Sequence, residues 1–207
     1  MKRFPFVLMA MVSVVAPEPG SAQDARLARR LGPEARAGVE TEIRAAREQG
    51  VPVEPLVQKA LEGAARGADG TRIVTVVRGL RERLVLAREA LGASATESEL
   101  VAGAGALYVN VPPDALRALR DRSEGGPVDV PLVVLADLVQ RGVPVGAASD
   151  AVLELRGAGA GADRYHLLRY RVEQDILSGT PPARSIVEQS RAILRALRGG
   201  LQPSSGA

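Results

Sequence analysis

The sequence predicts an all-α protein of about nine helices, arranged as stacked helix pairs in a solenoid-like or irregular bundle behind an N-terminal signal peptide. Three observations carry that expectation. Apolar residues recur at i, i+3, i+4, i+7 along most of the chain. No paired set of alternating apolar runs offers a sheet. Four phrases punctuate the pattern: Gly50-Val51-Pro52-Val53, Asn110-Val111-Pro112-Pro113, Gly142-Val143-Pro144-Val145 and Gly179-Thr180-Pro181-Pro182. Each ends one helix and starts the next, because Gly or Asn tolerates the left-handed conformation that closes a helix and Pro suits a first turn.

The chain opens with a leader. Lys2 and Arg3 precede an apolar run from Phe4 to Ala16, Pro17 to Gly20 break it, and Gly20-Ser21-Ala22 puts small residues where a signal peptidase reads. Cleavage is expected after Ala22, which makes the mature protein periplasmic or secreted, with Gln23 first. The run falls short of the about 20 apolar residues a membrane span needs. No cysteine follows it for a lipid anchor.

A single all-helical domain is expected over 23–198, with a disordered Gly- and Ser-rich tail over 199–207. Residues 23–33 allow a short first helix. Longer helices are expected over 34–49, 54–66, 71–91, 97–108, 113–122, 131–141, 147–156, 164–178 and 182–198. In the third, Ile73, Val76, Val77, Leu80 and Leu84 form a seam with Leu86 just beyond. Thr96 and Glu99 have capping-box spacing and mark the start of the fourth. Leu168, Val172, Ile176 and Leu177 form the seam of the eighth, and Ile186, Ile193, Leu194 and Leu197 that of the last. Ile73–Val77 and Val128–Leu135 are β-branched-rich but lack hairpin turns, so both are read as helical.

An internal repeat is visible. Residues 43–84 laid on 135–176, an offset of 92, give 9 identities in 42 positions, including Gly50/Gly142 through Val53/Val145, Glu62/Glu154 and Gly67/Gly159. Apolar positions correspond at Ile43/Leu135, Ile73/Tyr165, Val76/Leu168, Leu80/Val172 and Leu84/Ile176. The implied unit is helix, Gly-x-Pro turn, short helix, Gly-rich loop and long helix, a layout that stacks as helical repeats do. Val is expected to be costly at Gly50 or Gly142, and much milder at Gly159 in the loop.

Composition narrows the chemistry. With no cysteine, thiol catalysis and thiolate metal sites are excluded. Phe4 and Phe6 lie in the leader and Trp is absent, so Tyr108, Tyr165 and Tyr170 are the only mature aromatics. That is little surface for stacking on sugars or bases. Removing Lys2, Arg3 and Glu18 with the leader leaves 25 basic against 23 acidic residues. The signs interleave, as at Glu40, Arg44 and Glu48, which reads as a solvated helix face and not a nucleic-acid surface.

No catalytic, cofactor-binding or metal-binding residue is assigned. His166 is the only histidine, and no HExxH phrase, nucleophile elbow or Ser-x-x-Lys accompanies it. It is expected at the surface or a boundary. Gly157-Ala158-Gly159-Ala160-Gly161 lacks the spacing of a phosphate loop and is read as a flexible interhelical loop ending at Asp163, an N-cap. Gly103 and Gly105 are read as permitting close helix packing. Glu97-Ser98 resembles the catalytic Glu-Ser of the lytic transglycosylases over two residues only. Their downstream Gly-Leu-Met-Gln phrase is absent, and a first-turn glutamate is explained by the helix dipole. The expected function is a non-enzymatic protein-interaction or scaffold module of the bacterial envelope, without cofactor and with a protein partner. The alternatives are a peptidoglycan-acting hydrolase and a carrier of a small apolar ligand.

Overall fold

A computed structural model describes residues 25–199. Among them all regular structure is helical, with ten helices and no strand. A turn of helix at 25–28 precedes α1 (Pro33–Glu48), α2 (Glu54–Ala65), α3 (Gly70–Leu91), α4 (Glu97–Tyr108) and α5 (Pro113–Asp121). The second half holds α6 (Asp129–Gln140), α7 (Val145–Gly157), α8 (Ala162–Leu177) and α9 (Pro182–Gly199). Ile73–Val77 lies within α3, and Asp129 to Leu135 within α6. The expected leader, the expected cleavage site and the expected disordered tail beyond Gly199 lie outside the described residues.

The four turn phrases close their helices by one mechanism. Gly50, Asn110, Gly142 and Gly179 have φ of +65°, +66°, +88° and +89°. The amide after each bonds back over five residues: Val51 to the Ala46 carbonyl (3.0 Å), Val111 to Ala106 (3.1 Å), Val143 to Leu138 (3.1 Å) and Thr180 to Asp175 (2.8 Å). This is the Schellman closure, which satisfies carbonyls the ending helix would leave orphaned. Val51, Val111 and Val143 are buried, so the valine of the phrase plugs the core at the corner. Pro33, Pro113 and Pro182 then open α1, α5 and α9.

α1 and α2 pack on α3, α3 on α4 and α5, α4 on α6, and α6 on α7 and α8. α9 closes the far end against α8 and α7, and α5 touches α7. Buried side chains form one continuous cluster from Leu27 to Leu194. Small residues set the α3–α4 spacing. A Cβ built on Gly103 would lie 3.0 Å from the Ala87 Cβ and 3.2 Å from Leu91 Cδ1, so the helices meet closer than a side chain would allow. Gly105 has no such neighbour, and the close-packing role belongs to Gly103 alone.

Two buried carboxylates tie the helices together. Glu42 of α1 accepts from Arg78 Nε and Arg81 Nε of α3, both at 2.8 Å. Glu99 completes the capping box with Thr96 (2.9 and 3.3 Å). Its other oxygen accepts the Val128 amide at the start of α6 (3.0 Å), and Arg120 of α5 closes to 2.7 Å. One side chain thus pins the starts of α4 and α6 to the end of α5.

Several expectations need correction. Val76 and Leu86 are each 42% exposed, and Leu177 is 76% exposed. The α3 seam runs Ile73, Val77, Leu84, stepping by four after Ile73, whereas α8 steps by three from Tyr165 to Leu168. The correspondence therefore holds at Ile73/Tyr165 but fails at Val76/Leu168, where one side chain faces solvent and the other the core. α3 is packed by four helices and keeps a seam over 22 residues, while α8 ends after 16 and leaves Leu177 past its neighbours. The interleaved charges of α1 lie on a solvated face as expected, with Arg44 and Glu48 exposed and Glu40 paired to Arg36 (3.1 Å). The N-cap of α8 is Gly161, and Asp163 sits inside the first turn. Gly159 has φ +70°, as does Gly67, and the Ala160 amide bonds to the Leu155 carbonyl at 3.0 Å. Its loop is a further helix closure of the same kind as the four turn phrases, so substitution there is strained after all.

Candidate functional site

The α2–α3 corner opens into a solvent-facing groove of about 520 Å³. Its floor exists because Gly63 lets α2 approach α3: a Cβ there would lie 2.9 Å from Ile73 Cγ1. The α2 rim carries Lys59, Glu62 and Arg66, spaced i, i+3, i+7 on one helix face. Lys59 Nζ donates to Glu62 Oε2 at 2.6 Å, and an Arg66 amino group lies 2.7 Å from Oε1. The Lys59 hydrogen bond, then the Lys59 and Arg66 charges, hold the Glu62 carboxyl below its ordinary pKa. The α3 rim supplies Arg72, whose amide caps onto Asp69 while its guanidinium stays out of the ion pairs found among the described residues. Val76 lies one turn further along.

Tyr108, the last residue of α4, forms the far wall and is 68% exposed. Arg83 of α3 lies over its ring at 5.0 Å from the centroid, a cation–π contact that orients it. The groove thus combines three cations, one carboxylate already shared by two of them, an aliphatic wall and an aromatic wall.

A second concavity of about 530 Å³ lies at the end of α7 against the end of α9, lined by Glu154, Ala158, Leu194, Leu197 and Arg198. At the offset of 92, Glu154 stands for Glu62, whereas Ala151 and Ala158 stand for Lys59 and Arg66. The second concavity thus lacks counterparts of the Lys59 and Arg66 side chains, and Arg198 of α9 is the cation that lines it.

The polar residues singled out from sequence do not converge. His166 is exposed on α8, and Glu97 and Ser98 are exposed in the first turn of α4. The buried carboxylate of that turn is Glu99. Burial alone would raise its pKa, but the Thr96 and Val128 amides and the Arg120 cation outweigh burial and leave it lowered. Glu42 is lowered likewise, burial being outweighed by Arg78 and Arg81. A general acid for glycoside cleavage needs the opposite shift. Among the described residues, no group of three or more His, Asp or Glu side chains has the arrangement to hold a metal. Among the described residues, no helix is long and apolar enough to cross a membrane.

Sequence reading missed the groove. The Lys59, Glu62, Arg66 spacing was readable, but Tyr108 is over 40 residues away and joins only through the α3–α4 packing. Compared with family models, curated proteins and solved structures, the chain matches none.

Proposed function

We propose that this chain is an exported, non-enzymatic interaction module of the bacterial envelope, and that it engages a protein partner through the α2–α3 groove. The observation that carries this reading is the pairing of exposed apolar and aromatic surface with cations that outnumber their one carboxylate in one concavity. Val76 and Tyr108 face solvent there, where burial by a partner gains about 25 cal/mol per Å². Aromatic and arginine side chains are the types that anchor protein interfaces. The commitment of both buried carboxylates to arginine partners also supports a binding role over an acid-catalysed one.

Capture from envelope extract tests it, with wild-type processed protein beside a Val76→Asp variant. The reading expects a small set of partners retained by the wild type and lost by the variant, with helicity unchanged. An identical set from both, or release of soluble fragments from peptidoglycan by the wild type, overturns it.

A further inference from the structure

We infer that the groove between α2, α3 and the end of α4 recognises an acidic, apolar-flanked peptide segment of the partner, with Lys59, Arg66 and Arg72 meeting its carboxylates and Val76 and Tyr108 its apolar side chains. This rests on the interaction reading and goes further by fixing the chemistry of what is bound.

Charge comes first. Glu62 offsets one of the three cations on the rim, so the groove carries a net charge of about +2 at neutral pH. Lys59 and Arg66 share that single carboxylate, and Arg72 has none within ion-pair distance among the described residues. An incoming carboxylate gains attraction at each without displacing a full internal pair. Rim charges of this kind steer encounter and select partners by sign.

The mixed lining selects the class of anion. A nucleic acid would need a longer cationic track, since its affinity comes from neutralising many phosphates along the backbone, and would meet one aromatic ring. An acyl chain would need a deep apolar slot, whereas this concavity is open and rimmed with charge. A peptide fits both signs. Its acidic side chains suit the three cations, its amide N–H groups can donate to the Glu62 carboxylate, and alternate apolar side chains reach Val76 and Tyr108.

The molecule also contains its own control. At the offset of 92, Glu62 corresponds to Glu154, and Lys59 and Arg66 correspond to Ala151, which is buried, and Ala158. The Lys59→Ala/Arg66→Ala double variant therefore converts the first groove to side chains the same helix position already accepts elsewhere in the fold.

Fluorescence polarisation of purified processed protein decides the matter, using a fluorescein-labelled eight-residue peptide alternating aspartate and leucine and a counterpart with asparagine for aspartate. The acidic peptide is expected to bind at least tenfold tighter, with the preference shrinking as salt screens the charges. Lys59→Ala/Arg66→Ala should abolish the preference with helicity intact, and Arg198→Ala in the second groove should leave it unchanged. Equal binding of the two peptides, or a preference that survives the double variant, overturns the inference. So does Lys59- and Arg66-dependent uptake on phosphatidylglycerol vesicles without peptide binding, which would assign the groove to lipid. If the peptides fail while envelope capture still depends on Val76, the peptide assignment falls and the interaction reading stands. If capture shows no such dependence, both fall.

Discussion

Gly50 and Gly142 sit in the left-handed region at the ends of α1 and α6, where a β-branched side chain meets its own backbone. Replacing either by Val should cost about 1–3 kcal/mol. The same substitution at Gly159 should now cost a similar amount, because its φ of +70° places it in the same conformation. Thermal melts of the three variants check this, and a Gly159→Val protein melting like wild type would contradict it. Glu99 makes a different kind of prediction. Its folded pKa lies below the unfolded value of about 4.3, so its contribution is present above that pH and is lost as pH falls through the folded value. Glu99→Gln should destabilise by about 1–3 kcal/mol at pH 7, leaving Arg120 without its carboxylate, and should flatten the acid limb of the stability curve. An unchanged acid limb would show that Glu99 is not the titrating tie. At this scale the sequence showed the turn glycines and the Thr96–Glu99 box, since both are local. It could not show that Glu99 also reaches Val128 and Arg120, because those bonds exist only after α4, α5 and α6 pack.

Helices were legible where seams and stops agreed, and most boundaries fall within one or two residues of expectation. What failed was the face. Val76 and Leu177 fit a helical period but not the neighbours the helix acquired, since a period fixes a stripe and packing fixes its width. The α4 glycines separate these influences experimentally. Gly103→Leu should be destabilising by about 1–3 kcal/mol, because Ala87, Leu91 and Leu116 already fill the space. Gly105→Ala meets nothing within 4 Å and should be neutral or stabilising, by up to about 1 kcal/mol from helix propensity. Denaturant titrations of the pair check the α3–α4 contact, and equal losses at both positions would contradict it.

Over the whole molecule, α1–α3 and α6–α8 follow one order. The helix ends Glu48/Gln140 and Ala65/Gly157 and the helix starts Gly70/Ala162 all fall at the offset of 92. Both sets close their first two helices with left-handed glycines, and in both the third helix packs on the first and on the helix that follows. We propose that they are equivalent units, with Lys59 and Arg66 of the first standing where the second has Ala151 and Ala158. Export adds an expectation for material from the native envelope: intact mass should give Gln23 as the first residue, and a retained Met1 would contradict the leader. A photo-crosslinking amino acid introduced at position 76 in the native host reports whether a partner sits in the α2–α3 groove. An envelope protein should be joined at position 76 and not at position 177, which is exposed and apolar but lies outside the groove. Crosslinks of equal yield at both positions, or none at 76 with the protein folded and exported, would contradict it.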